Sequence, residues 1–192
     1  AQHNAVSDVV KIAEGHHWHY VFGLKADGTV VSVYGTSPPS GLTNVVDISV
    51  GDGHRLALKG DGTVVAWGSN DHDEATVPGW LLDVVDVAAG NDHSLALLRE
   101  GTVVGWGRNN EGQATPPVGL SGVVSIAASG NTSYAVKSDG KVVQWGENSG
   151  STALLSNVKR LDMHCGCGLA LLNDDPTIFW GDPIRAHWTP VP

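Results

Sequence analysis

The sequence predicts an all-β protein, a β-propeller of five blades of about 39 residues, and three observations lead there. The phrase VVDVAAGNDHSLALLREGTVVGWG at 84–107 returns thirty-nine positions earlier, at 45–68, and thirty-nine later, at 123–146, so Trp67, Trp106 and Trp145 share one register. Poorer copies flank these at 9–35, where Tyr34 replaces the tryptophan, and at 158–181, where Trp180 follows Trp145 after thirty-five residues. The chain shows no long helical pattern, and a unit near forty residues has too little apolar surface to fold alone, so the units must stack.

Within one repeat the strands can be read in order. The runs 84–90 and 94–98 are short and almost wholly apolar, as expected of strands covered on both faces. Asp27-Gly28, Asp61-Gly62, Glu100-Gly101 and Asp139-Gly140 then supply positive φ for two-residue hairpin turns. The segment Thr-Val-Val-x-Trp-Gly is a third strand whose tryptophan packs between blades, its ring nitrogen needing a partner. After each Trp-Gly comes a polar loop, such as 69–75 or 108–114, and a proline-containing piece, Val77-Pro78 or Thr115-Pro116-Pro117. Proline cannot donate to a ladder, so this piece is an edge strand or a connector, and four strands would complete a blade.

The repeats divide a single domain, 1–192, at approximately 9–44, 45–83, 84–122, 123–157 and 158–192. The segment 5–10 copies 41–46, and 186–192 resembles 74–78, so the two ends are predicted to pair, with 1–8 completing the closure. The rival reading is an arc of a six- or seven-bladed ring.

Composition narrows the partners. Eleven basic against twenty acidic residues, a net charge of −9, disfavour phosphate backbones and anionic membranes, so neither nucleic acid nor membrane is expected. No apolar run approaches the roughly twenty residues needed to cross a bilayer. Met163 is the only methionine, and a chain that starts without one fits a cleaved secretory signal, hence a secreted or extracellular protein.

The pattern A-A-G-x-x-H-S-L-A-L, here 88–97, with G-T-V-V-x-W-G and N-x-x-G-Q-A-T-x-P, here 109–116, resembles the regulator-of-chromosome-condensation repeat. The short period and this connector are most similar to bacterial members, among them propeller-type β-lactamase inhibitor proteins. The resemblance implies a propeller and, for the bacterial members, inhibitor-like protein binding through one loop-lined face.

Each repeat would present the same loop on the same face. A partner-binding rim is therefore expected from His17, Trp18 and Tyr20 in the first copy, Asp52 and His54 in the second, Asn91, Asp92 and His93 in the third, and Asn131 and Tyr134 in the fourth. The alternative for His54 and His93 is a turn histidine bonding backbone within its own blade. Trp80 and Trp188 lie outside the tryptophan register and are expected to be exposed. No nucleophile elbow, phosphate loop or zinc-protease helix occurs, so no enzyme is expected. No cofactor is required, although ring closure would bring His16 and His19 near His164, Cys165 and Cys167, thiols and imidazoles that suit zinc or copper. The bland alternative is that these are loop histidines and small apolar fillers. Three functions follow in order: a non-catalytic module that binds a protein, a carbohydrate-binding lectin, and a metal-stabilised ring.

Overall fold

Each repeat starts with a residue in the left-handed region: Asp8 (φ 65°), Asn44 (58°), Asp83 (58°), Gly122 (68°) and Asn157 (61°). Asp, Asn and Gly are the residues that tolerate this conformation, and here it turns the chain into a first strand. The computed structural model describes residues 7–15, 20–147, 156–164, 167–173 and 178–181, and among these it holds five three-stranded antiparallel sheets and no helix. The first sheet is β1 (Val9–Glu14), β2 (Val21–Lys25) and β3 (Val30–Tyr34), and the second is β4 (Val45–Val50), β5 (His54–Lys59) and β6 (Val64–Gly68). The third is β7 (Val84–Ala89), β8 (His93–Leu98) and β9 (Val103–Gly107), and the fourth is β10 (Val123–Ser129), β11 (Thr132–Lys137) and β12 (Val142–Gly146). The fifth is β13 (Val158–His164), β14 (Cys167–Leu172) and β15 (Ile178–Gly181).

A bulge recurs at the same place in all five first strands. Val9 pairs with Lys25 and Lys11 with Leu24, so Val10 is the extra residue; Val46, Val85, Val124 and Lys159 take that place in the other sheets. An extra residue leaves the ladder, and these five side chains are exposed at the end of the molecule where the hairpins lie.

Two sequence expectations are corrected. The hairpin loops have three residues rather than two: Gly28 N donates to Lys25 O at 3.0 Å, Lys25 N donates to Thr29 O at 2.9 Å, and only the glycine takes a positive φ, of 78°. The aspartate instead accepts from the backbone two residues on, as Asp61 Oδ1 does from Thr63 N at 3.1 Å and Thr63 Oγ1 at 2.6 Å. Among the described residues the proline segments form no fourth strand. Asn70 folds its loop onto itself, accepting from Ala75 N and donating to Thr76 Oγ1, as Asn109 does with Ala114 and Thr115. The chain then turns again where Leu81 N donates to Pro78 O and Leu120 N to Pro117 O.

The apolar second strands look continuous in sequence because alternate residues serve two interfaces. Ala57 faces the first sheet with Val45 and Ile48, against Phe22 and Leu24, whereas Leu56 and Leu58 face Val87, Ala96 and Trp106 of the third. Leu95 and Leu97 likewise meet Ile126, Ala135 and Trp145, and Tyr134 and Val136 meet Val158, Leu161 and Ala170. Each core cluster is thus one interface between consecutive sheets. Full burial of a leucine is worth about 1.5–3 kcal/mol, so these interfaces and not the isolated sheets carry the stability. The repeated tryptophans Trp106 and Trp145 are buried within them, as the sequence predicts.

The first strands pack in order, β1 on β4, β4 on β7, β7 on β10 and β10 on β13, and together they line one cavity of about 570 Å³. The outward faces of the end sheets differ from the interior ones. Ile12 is 66% exposed where Ile48, Val87, Ile126 and Leu161 are buried, and Leu171 is 38% exposed where Leu58, Leu97 and Val136 are buried. Among the described residues no strand pairing joins the fifth sheet to the first.

Candidate functional site

The chain reverses at one end of the cavity through the loops 51–53, 90–92 and 130–131, and Asp52, Asn91 and Gly130 line its mouth. The residue after each Trp-Gly returns to this end: Ser69 N donates to Gly53 O, Arg108 N to Asp92 O and Glu147 N to Asn131 O, at 2.8–3.0 Å. Side chains repeat the link, with Arg108 Nη1 3.2 Å from Asp92 Oδ2 and Asn131 Nδ2 donating to Glu147 Oε2 at 3.0 Å. Tyr20, Asp52, Asn91, Asp92 and Asn131 are all half-buried here. These five residues lie at the strand-reversal end of their repeats, and two of them are tied to neighbours within their own repeat.

His54, His93 and Tyr134 are corrected as rim residues. Tyr134 is buried in the interface between the fourth and fifth sheets. Both imidazoles are wholly buried, and neither bonds backbone of its own sheet: His54 Nε2 lies 2.9 Å from Ser94 Oγ, and His93 Nε2 lies 2.8 Å from Ser133 Oγ, each serine belonging to the next sheet. Each serine hydroxyl donates to a connector carbonyl, Ser94 to Glu74 O at 2.8 Å and Ser133 to Gln113 O at 2.7 Å. A hydroxyl has one proton, so the histidine must donate, which fixes the neutral Nε2–H tautomer. The same carbonyls accept from Trp106 Nε1 and Trp145 Nε1, both at 2.9 Å. The glycines preceding these loops are required by the rings, because a Cβ on Gly51 or Gly90 would overlap His54 or His93.

The third residue of each first strand is Lys11, Asp47, Asp86, Ser125 or Arg160, and of these Lys11, Asp86 and Arg160 line the cavity. Lys11 Nζ donates to Asp47 Oδ1, and Ile126 N donates to Asp86 Oδ2 of the preceding sheet at 3.2 Å. Burial pushes Asp86 up to about 6, against the Ile126 N–H and the cations Arg160 and Lys11. The serine positions and these third residues escaped sequence reasoning; the signal for the third residues was the polar residue three places after each left-handed residue.

His16, His17, Trp18, His19, Cys165 and Trp188 lie outside the described residues, and so do the side chains of His164 and Cys167. Among the described residues no three His, Cys, Asp or Glu side chains converge as a metal site. Trp80 is 67% exposed, as expected. The buried Trp106 and Trp145 cannot serve as repeated stacking platforms for a sugar.

Burial lowers His54 to about 4, with Glu74 and Asp92 acting in the opposite direction, and lowers His93 to about 3. Both lie below the ordinary 6.5, so the unfolded chain binds these protons more readily and the stability contributed by the neutral rings is lost as pH falls. The melting temperature is expected to be level above about pH 6.5 and to drop steadily toward pH 4, with a shallower drop in His93→Gln. Identical pH profiles for the two proteins, followed by circular dichroism, would exclude this role for His93.

The sequence profile of the regulator of chromosome condensation (RCC1) repeat matches residues 45–74 and 84–113. No curated protein matches the chain by sequence. Its structure is similar to the ectodomain of the Physcomitrella patens receptor kinase CR4, with 21% identity, a TM-score of 0.73, and coverage of 93% of this chain and 52% of that one. It is also similar to Prp20p from Saccharomyces cerevisiae (19%, TM-score 0.68, 90% and 58%) and to the ectodomain of the Arabidopsis thaliana receptor kinase ACR4 (19%, 0.69, 90% and 63%). The chain thus spans between half and two thirds of the length of these neighbours. At these identities the likeness establishes the propeller architecture alone. The repeats of the second and third sheets thus match the regulator of chromosome condensation repeat.

Proposed function

We propose that the protein is a non-catalytic binding module that grips a protein partner through the rim loops at one mouth of the cavity. The observation that carries this reading is the convergence of Tyr20, Asp52, Asn91, Asp92 and Asn131 from four consecutive repeats on one end of the molecule. Loops held by a rigid scaffold are where binding residues concentrate. A propeller of the same architecture offers a precedent, since Prp20p is described as binding Gsp1p and histones and as bound by Kap60. The net charge of −9 favours a partner face that carries basic residues over one that carries phosphates.

The test is capture of a partner from the native source by the wild-type protein and by an Asp52→Lys, Asn91→Lys double variant with unchanged melting. Affinity of the captured partner is expected to fall by about tenfold or more in the rim variant. Retained binding in that variant, with loss in Trp80→Ala at the other end, would move the functional face away from the rim.

We further propose that the fifth sheet closes on the first, with the terminal segments completing a ring of five blades. Support comes from the cavity, which is lined by the first strands of all five sheets, and from the two apolar outward faces. Asp162 also occupies the place from which Ser49 Oγ accepts from Ala89 N of the following sheet. In a closed ring Ile12→Asp is expected to cost about 2 kcal/mol or more in urea unfolding, because it would charge a packed position. A change below about 0.5 kcal/mol, the effect of a surface substitution, would mean that the ring is open at this face.

A further inference from the structure

The interface between the first and second sheets lacks the part on which the next two interfaces are built. Its connector has eight residues, 36–43, where the following connectors have fourteen, 69–82 and 108–121. Aligned on Pro39 and Pro78, the missing residues are those that correspond to 69–74, the stretch that ends in Glu74. The second sheet therefore has no counterpart of the carbonyl that accepts from Ser94 and Trp106 in the third, or from Ser133 and Trp145 in the fourth.

The donors are nevertheless present. Trp67 holds the tryptophan position, its ring edge-on to Phe22, and its Nε1 is buried without a partner among the described residues. The serine position is Arg55. It pairs with Trp67 across β5 and β6 as Ser94 does with Trp106 and Ser133 with Trp145, so both side chains leave the same face of the sheet. Arg55 is 2% exposed. Its Nη1 donates to Gly53 O at 2.8 Å, and the Tyr20 ring lies 3.5 Å from the guanidinium carbon, but Nε and Nη2 have no partner among the described residues. A guanidinium out of water, short of two acceptors and with no described carboxylate paired to it, is a costly arrangement, because lost hydration has not been replaced. Burial lowers its pKa, and a hydrogen bond with the Tyr20 side chain acts in the opposite direction.

We propose that Arg55 and Trp67 form an oxyanion pocket beside the 51–53 loop, in the place of the missing connector carbonyl, and that the pocket takes a carboxylate. The planar fork of Nε and Nη2 matches two carboxylate oxygens, and the indole N–H donates to the same group as its counterparts do to Glu74 O and Gln113 O. A carboxylate gives each N–H of the fork its own oxygen, whereas a chloride ion must share one acceptor between them.

The test uses the whole protein labelled with ¹⁵N at its tryptophans, with the Trp67 indole signal identified by its loss in Trp67→Phe. Sodium acetate is titrated against sodium chloride at matched ionic strength and neutral pH. The Trp67 indole proton is expected to move downfield and saturate with acetate, while those of Trp106 and Trp145 stay in place. Arg55→Ser, which restores the residue used by the other sheets, is expected to abolish the response. Arg55→Lys keeps the charge but loses the fork, and is expected to weaken acetate binding by about tenfold. A second titration, with a neutral-ended peptide carrying one glutamate, separates the two sources of a carboxylate: saturation below the acetate range assigns the pocket to a polypeptide side chain, and saturation only by acetate assigns it to a small free acid. No saturable movement with either probe, or the same movement in Arg55→Ser, would overturn the pocket.

Discussion

The two interfaces that join the second, third and fourth sheets each depend on one backbone carbonyl. Glu74 O and Gln113 O each accept both the indole N–H and the serine hydroxyl of the following sheet, and that serine in turn accepts from a histidine of the preceding one. Four groups that would be expensive to bury alone are satisfied together, at the place where two sheets and a connector meet. The geometry explains why the repeat holds its residue types so closely. The tryptophan must reach past the sheet edge, the histidine must cross between sheets, and a glycine must leave room for its ring.

A second tier of links runs around the cavity. Lys11 reaches Asp47, Ser49 Oγ accepts from Ala89 N, and Asp86 accepts from Ile126 N, each between consecutive first strands. In β7 this role requires a carboxylate to be desolvated, which is why Asp86 is pushed up to about 6 despite two nearby cations. Polar groups thus join the sheets where the cavity keeps them near solvent, and apolar side chains join them farther out.

Much of this was legible in the residues. The thirty-nine-residue spacing of Trp67, Trp106 and Trp145 located the repeats, and the Asp-Gly pairs located the hairpins, although the loops proved one residue longer because aspartate bonds forward to the backbone. The prolines were legible as breaks in pairing, while the absence of a fourth strand follows from Asn70 and Asn109 closing their loops on themselves. The histidines misled for a definite reason. A polar residue after a glycine turn looks like a rim residue in one dimension, and only the stacking of sheets shows that His54 points at Ser94, forty positions away. The same stacking gives Arg55 its meaning, since nothing in one repeat says that its acceptor was deleted from the connector before it.

Histidine, serine and connector carbonyl act as one unit between sheets, and a double-mutant cycle on His93 and Ser133 measures this most directly. Removing Ser133 Oγ by alanine leaves a buried imidazole N–H without an acceptor and should cost about 1–3 kcal/mol in urea unfolding. In a His93→Phe background that donor is absent, so the same serine change should cost less, by about 0.5 kcal/mol or more. Coupling of that size and sign is the expected result. Additive costs, within about 0.3 kcal/mol, would contradict the account, because they would mean that the two side chains hold their sheets independently.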